Sequence, residues 1–259
     1  MEKLNFIKSI YFERYKAQQP ITLLKHFNKI KANGTSAEKF DFYFSNSAVF
    51  SSMIEGNRID FDSYLKYTNS GMNNSGKSFK EIEDLKTAYN FAKTKKLTLK
   101  NFLLAHKKAT KTVISNAKYR GAIRDKNVFI YGDGVKIYTG ANVEIVNDEV
   151  KKLFADIEIL LKRDLTITEV FYYASMLHLS YVKIHPFADG NGRLSRLLEK
   201  WFLVAKLGDE AWFIQSERLY QKRIKSYYKN VHIGSDYSNI NYDYSLPFLL
   251  MLPMALRLK

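Results

Sequence analysis

Apolar positions recur at helical spacing along most of the chain. Phe40, Tyr43, Phe44, Phe50, Met53 and Ile54 form a stripe ending at Glu55-Gly56, where glycine suits the position just past a helix C-terminus. Ile82, Leu85, Tyr89 and Ala92 predict a second helix, and Phe102, Leu103, Ala109 and Val113 a third. Val150, Leu153, Phe154, Ile157, Leu160 and Leu161 predict another, with Asp148 and Glu149 near its start to complement the helix dipole. A long helix is expected from about Ile167 to Ile184, and one more after residue 190. The stretch NVFIYGDGVKIYT, residues 127–139, departs from this period: two short β-prone runs flank Tyr-Gly-Asp-Gly and predict a hairpin. NSGMNNSGKS, residues 69–78, reads as a linker. No repeat is visible. The expected architecture is mainly α, with a single β-hairpin.

Composition narrows the function classes. A chain of 259 residues, 46% hydrophobic and 15% aromatic, can bury a substantial core as one sizeable domain or as one domain with an appended lobe. The absence of cysteine excludes a disulfide framework, a thiolate metal site and a cysteine nucleophile. It also suits a reducing compartment, so the expected location is cytoplasmic. The first residues, MEKLNFIKSIYFERYK, mix charge into their apolar positions and do not read as a signal peptide. The tail SLPFLLMLPMALRLK is apolar but broken by two prolines and too short to cross a bilayer, so no membrane partner is expected. It predicts a docked final segment or an oligomer contact, which leaves a homodimer open. The net charge of +15 invites a nucleic-acid reading. However, the lysines are spread along the chain, the dense runs KTKK and HKKATK are short, and no Cys/His finger or RNA-recognition signature is present. A solvated basic surface that helps attract anions such as nucleotides is the better account.

The chemistry concentrates in IHPFADGNGRLSRLL, from Ile184 to Leu198. Proline disfavours the α conformation in the residue before it, so the preceding helix should stop at His185 and leave that imidazole at the mouth of a loop. Phe187 would anchor the loop in the core. Gly190-Asn191-Gly192 lets backbone N–H groups approach an anion closely, and the helix that starts there adds orphan N–H groups and a positive dipole end. Arg193 and Arg196, three apart, share a face of its first turns. Asp189 sets a carboxylate beside this cradle, a sensible Mg2+ ligand because Mg2+ favours one or two carboxylates plus phosphate oxygens. A histidine facing a held phosphate can serve as general base for a hydroxyl attacking phosphorus. Together these parts suit nucleotidyl transfer. His178, seven residues before His185 on the same helical face, reads as a core histidine and not as a second base.

This stretch resembles the Fic family, whose pattern His-Pro-Phe-x-(Asp/Glu)-Gly-Asn-Gly-Arg-x-x-Arg is filled without gaps from His185 to Arg196. The resemblance extends over roughly 81–235 and implies the Fic-fold helical bundle with the hairpin as its flap. It also implies transfer of AMP from ATP to a Ser, Thr or Tyr hydroxyl of a protein target, which can be the enzyme itself. By that resemblance His185 deprotonates the target hydroxyl and Asp189 holds Mg2+. Gly190, Asn191 and Gly192 cradle the α- and β-phosphates, Arg193 holds the β-phosphate and Arg196 the γ-phosphate. The flap, with Val128, Phe129 and Ile130 on its first strand, aligns the target peptide by strand addition, and Tyr227-Tyr228 resembles the pair near the adenine. A second match lies upstream. SSMIEG, Ser51 to Gly56, fits the family's inhibitory pattern (Ser/Thr)-x-x-x-Glu-(Gly/Asn), which would pair Glu55 with Arg196 and displace the γ-phosphate. Two positions depart from the family: Thr139-Gly140-Ala141-Asn142 stands where a Pro-Pro pair often ends the flap, and Ser235 stands near the place of an asparagine after the tyrosine pair.

The implied organisation is an N-terminal helical region over 1–78 carrying the inhibitory motif, a catalytic core over 79–235 and an apolar tail over 236–259. The favoured activity is protein adenylylation restrained by Glu55. Removal of AMP, or transfer of another phosphate-containing group on the same fold, is the alternative, since in some relatives the same glutamate positions water. A non-catalytic basic binding protein is the third reading, opposed by the intact pairing of His185 with Asp189.

Overall fold

The computed structural model describes residues 3–70, 76–132 and 134–258. Four helices come first: α1 (Phe12–Gln18), α2 (Leu23–Lys31), α3 (Ala37–Ile54) and α4 (Phe61–Asn69). Helices α5 (Lys77–Lys93) and α6 (Leu99–Ala109) precede the hairpin of β1 (Phe129–Gly132) and β2 (Val135–Thr139). Then follow α7 (Val146–Lys162), α8 (Ile167–Ile184), α9 (Asn191–Leu207), α10 (Ser216–Lys222) and α11 (Ile224–Val231), with two short turns, α12 (Leu246–Leu249) and α13 (Met251–Met254), in the tail. The fold is the helical bundle with one antiparallel hairpin that the pattern predicts.

At the centre lies α8. It is apolar on nearly every side, as a helix enclosed by neighbours must be, and all but one of its residues from Val170 to Ile184 are buried. Its start is fixed by a capping box in which Thr166 and Glu169 each satisfy the other's backbone N–H. Helix α9 returns beside it, and one contiguous core runs from Ile7 to Leu256 across the three segments distinguished in the sequence. The tail is docked: Leu246, Phe248, Leu249 and Leu252 are buried, and Ser175 on α8 donates to the Leu249 carbonyl at 3.4 Å.

Helix α3 carries the first apolar stripe, but its inward face also bears serines. Ser47 accepts from Lys200 Nζ at 2.7 Å, and that ammonium lies 2.5 Å from Glu217, which also accepts from Tyr89 at 2.6 Å. Lys200 and Glu217 are essentially inaccessible to solvent. Removing one partner of such a buried pair leaves an uncompensated charge, a cost of about 3–5 kcal/mol. The pair joins α9 to α10, and Ser47 ties α3 to it by accepting from Lys200 and donating to Glu217.

The sequence expectations need two local adjustments. Helix α6 ends at Ala109 and not near Val113: the Thr110 hydroxyl turns back to the His106 carbonyl at 2.7 Å, and Asp84 captures the Thr112 N–H at 2.6 Å. Such side-chain bonds offer the backbone an alternative to another helical turn. The linker expected over 69–78 narrows, since α4 reaches Asn69 and α5 begins at Lys77; residues 71–75, like residue 133, lie outside the described residues.

The N-terminal segment is held by one carboxylate. Buried Asp156 on α7 accepts from the backbone N–H groups of Asn5, Phe6 and Ile7 at 2.7–2.8 Å. Hydrogen bonds to charged groups are worth about 1.5–3 kcal/mol. Asp156→Ala should therefore cost about 2–4 kcal/mol and lower the melting temperature by roughly 5–15 °C for a chain of this size. A melting curve within 1 °C of the parent would show that the segment is held by its other contacts, among them the bond from the Tyr172 hydroxyl to the Lys8 carbonyl.

Candidate active site

Glu55 sits at the C-cap of α3, and its direction is set by the turn that follows. Gly56 N donates to the Met53 carbonyl and Asn57 N to the Ser52 carbonyl, both at 3.0 Å, with Gly56 at φ +90°. This is the Schellman arrangement, which requires a residue at ease in the left-handed region. The carboxylate then projects to the start of α9. Glu55 Oε1 lies 2.6 Å from Arg196 Nη2 and against Gly192, where any side chain in place of the glycine hydrogen would collide with it. Burial disfavours the charged form of Glu55, but the Arg196 and Arg193 guanidiniums outweigh it and hold the carboxyl below the usual range. The pair is therefore ionised at neutral pH and opens by protonation only below the ordinary carboxylate range.

Arg196 is buried, and each of its three nitrogens has an acceptor. Nε donates to the Ser51 hydroxyl at 2.8 Å, Nη2 to the Ser51 carbonyl at 3.0 Å and Nη1 to the Tyr227 hydroxyl at 3.2 Å. The Tyr227 hydroxyl lies 3.0 Å from His178 Nε2, and His178 Nδ1 lies 2.8 Å from Glu199. With Nδ1–H donating to the carboxylate, Nε2 accepts from Tyr227, and the phenol oxygen is free to accept from Arg196. One buried chain of hydrogen bonds from Glu199 thus orients the guanidinium. His178 is the satisfied core histidine that its helical position predicts. Tyr227 is also buried and used within the protein, whereas Tyr228 is half exposed and donates to the Ile54 carbonyl at 2.7 Å, tying α11 to the end of α3.

Arg193, one turn before Arg196, is nearly buried and lies 3.4 Å from Glu81 on α5, while its Nε has no partner. Gly190, at φ +82°, caps α9 and leaves no room for a Cβ, which would stand 2.6 Å from the Thr110 methyl. The Asn191 side chain closes the loop on itself: Oδ1 accepts from Phe187 N at 2.9 Å and Nδ2 donates to Phe187 O at 2.8 Å. Only its backbone N–H is left to face an anion at the helix N-terminus.

His185 ends α8 at φ 53°, ψ 60°, the one non-glycine residue with positive φ among the described residues. Such a conformation persists where surrounding contacts over-determine it. Here His185 N donates to Tyr181 O at 3.1 Å, and Arg124 Nε donates to His185 O at 2.8 Å while other guanidinium N–H groups reach the Lys126 and Ala141 carbonyls. The imidazole Nδ1–H donates to Val182 O at 3.1 Å, which leaves Nε2 with a free lone pair. Burial lowers the imidazole pKa from 6.5 to about 4, with Glu55 acting in the opposite direction. It is therefore neutral at physiological pH and able to accept a proton.

Asp189 is exposed, and its Oδ1 accepts from Gly190 N at 2.6 Å. Among the described residues no cluster of three or more His, Asp or Glu side chains could hold a metal. A single hard carboxylate beside a helix N-terminus fits Mg2+, which keeps waters and takes further oxygens from phosphates.

The hairpin stands at the side of this loop. Phe129 pairs with Thr139 and Ile130 with Tyr138, and the register shifts between Ile130 and Tyr131. Its base is tied down by the Tyr138 hydroxyl, which donates to Lys183 O at 2.8 Å, and by Gly140 N, which donates to Val128 O at 3.2 Å. Phe129, Tyr131, Val135 and Ile137 are exposed.

Arg124 and His106 were not among the sequence candidates, though both touch the motif's backbone. His106 falls on the apolar face of α6, in step with Phe102 and Ala109, and that position was the readable signal. For Arg124 the sequence carries no local signal, because its acceptors come from three separate segments.

Residues 96–203 match the Fic/DOC family. No curated protein sequence matches the chain. Among solved structures, a Fic family protein from Desulfovibrio desulfuricans G20 superposes with a TM-score of 0.72 at 17% identity, covering 99% of this chain and 74% of that one. Fic-1 from C. elegans gives 0.66 at 18% identity over 96% and 70%. A Fic domain containing signaling protein from Bacteroides thetaiotaomicron VPI-5482 gives 0.61 at 19% identity over 96% of both chains.

Proposed function

Because the chain is a Fic/DOC-domain protein, we propose that it transfers AMP from ATP to a Ser, Thr or Tyr hydroxyl of a protein, with Glu55 restraining the reaction in cis. The observation that carries this reading is the free Nε2 of neutral His185 beside a glycine-bounded helix start that also presents Asp189, Arg193 and Arg196. In this reading His185 Nε2 takes the proton from the target hydroxyl as its oxygen attacks the α-phosphorus. The bond from the α-phosphorus to the bridging oxygen breaks and pyrophosphate leaves, its charge drawn to Arg193 and Arg196. The backbone N–H groups from Gly190 to Gly192 hold the phosphates at the positive end of α9. Mg2+, held by Asp189, would supply charge neutralisation of the phosphate oxygens. The exposed strand β1, with Phe129 and Ile130 following Val128, would accept the target's backbone and set its hydroxyl toward His185. The enzyme itself is a candidate target, and the cytoplasm supplies both ATP and Mg2+.

The restraint follows from competition for one guanidinium. While Glu55 occupies Arg196, a γ-phosphate has no partner there, and the triphosphate settles in a pose unsuited to in-line attack. Ser47, on the helix that ends at Glu55, is held by buried Lys200 and Glu217, so release of Glu55 would be local to the end of α3.

Labelled ATP tests the reaction. With the Glu55→Gly variant and cell lysate, label on the α-phosphate should pass to protein, and label on the γ-phosphate should not. Equal transfer from both positions would mean that the whole triphosphate moves, and γ-label alone would mean phosphorylation. Loss of α-label from previously modified protein on adding the unsubstituted chain would favour AMP removal, with Glu55 directing water.

A further inference from the structure

The basic run HKKATK opens on a histidine that turns inward. His106, fully buried on α6, lies flat on the ring of Phe187, with centroids 3.6 Å apart and planes 14° apart. Gly121 N donates to its Nδ1 at 2.8 Å, so the ring proton resides on Nε2, which donates to the Asp189 carbonyl at 3.0 Å. A single imidazole therefore joins two tight turns that are 68 residues apart in sequence (189 minus 121). Both turns are built for close approach: a Cβ at Gly121 would stand 2.7 Å from the Leu103 carbonyl, and one at Gly190 would stand 2.6 Å from Thr110 and 3.5 Å from His106 itself. Among the described residues the Asp189 carbonyl accepts only from His106, while the same residue is exposed and its carboxylate accepts from Gly190 N.

We propose that His106 is a positioning residue for the metal-binding carboxylate: by holding the Asp189 carbonyl it fixes the peptide plane, and with it the direction in which the Asp189 side chain projects. This rests on the assignment of Asp189 to Mg2+ made above. The two bonds of His106 have separable roles. Nδ1 anchors the turn that leads to Arg124, and Nε2 sets the phosphate loop. Outer partners of metal ligands typically change metal affinity by about 10–100-fold when removed.

The test uses two amide variants in the Glu55→Gly background. In His106→Asn the amide occupies the place of Nδ1 and cannot reach Asp189; in His106→Gln it occupies the place of Nε2 and can donate to that carbonyl. ATP binding is measured by calorimetry without Mg2+ and across a Mg2+ titration, with melting temperature as the control. The expected result is a Mg2+ requirement raised about tenfold in His106→Asn, within about threefold of the parent in His106→Gln, and metal-free ATP binding unchanged in both. Identical behaviour of the two variants would overturn the proposal, as would weakened metal-free binding or unfolding of the Asn variant, because each makes His106 a stability element only. Asp189→Ala in the same titration separates the premise from the inference: if it retains the full Mg2+ effect, the carboxylate assignment fails whatever His106 does.

Discussion

Glu55→Gly should raise transfer of α-phosphate label, to itself or to a target, by about tenfold to a hundredfold over the unsubstituted chain. The magnitude follows from the contact that is lost. A hydrogen bond to a charged group is worth about 1.5–3 kcal/mol, and each 1.4 kcal/mol is a factor of ten. The ionised Glu55 carboxylate lies 2.6 Å from Arg196 Nη2 in a position where the arginine is buried and the acid partly so. Exposed pairs contribute only about 0–1 kcal/mol, but burial and the added pull of Arg193 put this one above that range. Stability should not rise, because Arg196 keeps Ser51 and Tyr227 while losing its counter-ion. Lowering the pH does not imitate the substitution. The folded pKa of Glu55 is depressed, so the contact is complete at neutral pH and is lost only as pH falls below the ordinary carboxylate range. An equally active parent chain across all protein substrates would show that Glu55 only terminates a helix.

His185→Ala in the Glu55→Gly background should lower the rate of transfer by about 10²–10⁴-fold, the usual contribution of a general base, while ATP affinity stays within a few-fold. The proposed phosphate cradle is backbone and arginine, and neither depends on the imidazole. The pH profile provides an independent check. Burial places the His185 pKa at about 4, and removing Glu55 removes an influence that raised it. The profile of kcat/KM, which reports the free enzyme, should therefore stay level from pH 8 to about 5.5 and decline only in stronger acid. A decline centred near 6.5 would mean that the base is solvated as an ordinary histidine. The same depression has a stability consequence with a definite sign. Between about pH 6.5 and 4 the unfolded chain binds a proton that the folded chain does not, so His185 makes the fold less stable as pH falls through that window. Retention of full activity by His185→Ala would remove the residue from the chemistry altogether.

Much of the fold could be read from local pattern. The stripe from Phe40 to Ile54, the long apolar helix from Ile167 and the two runs around Tyr-Gly-Asp-Gly each carry their period in consecutive residues, and each forms the element expected. Helix ends were legible where a cap or a proline marks them, as at Gly56 and Pro186. They were missed where a side chain from elsewhere intervenes, as Asp84 does at Thr112. The motif from His185 to Arg196 is likewise local, because an anion site at a helix start needs its glycines, carboxylate and arginines within a few turns of one chain.

What lies between segments was decided by packing alone. The Asn191 side chain closes the loop instead of facing outward, and the Tyr227 hydroxyl serves Arg196 and His178, because each has a nearer partner that no spacing rule reveals. Arg124 and His106 gained their partners from the return of the chain after α8. Glu55 and Arg196 are 141 residues apart, and they meet because α3 packs on α9, where Ser47 bonds to Lys200 and Ser51 to Arg196. The sequence by itself determined which residues could bind, cap or turn, since those capacities belong to side chains and their immediate neighbours. Only the tertiary structure decided which of them meet, because a buried donor must find its acceptor wherever the core brings one within reach.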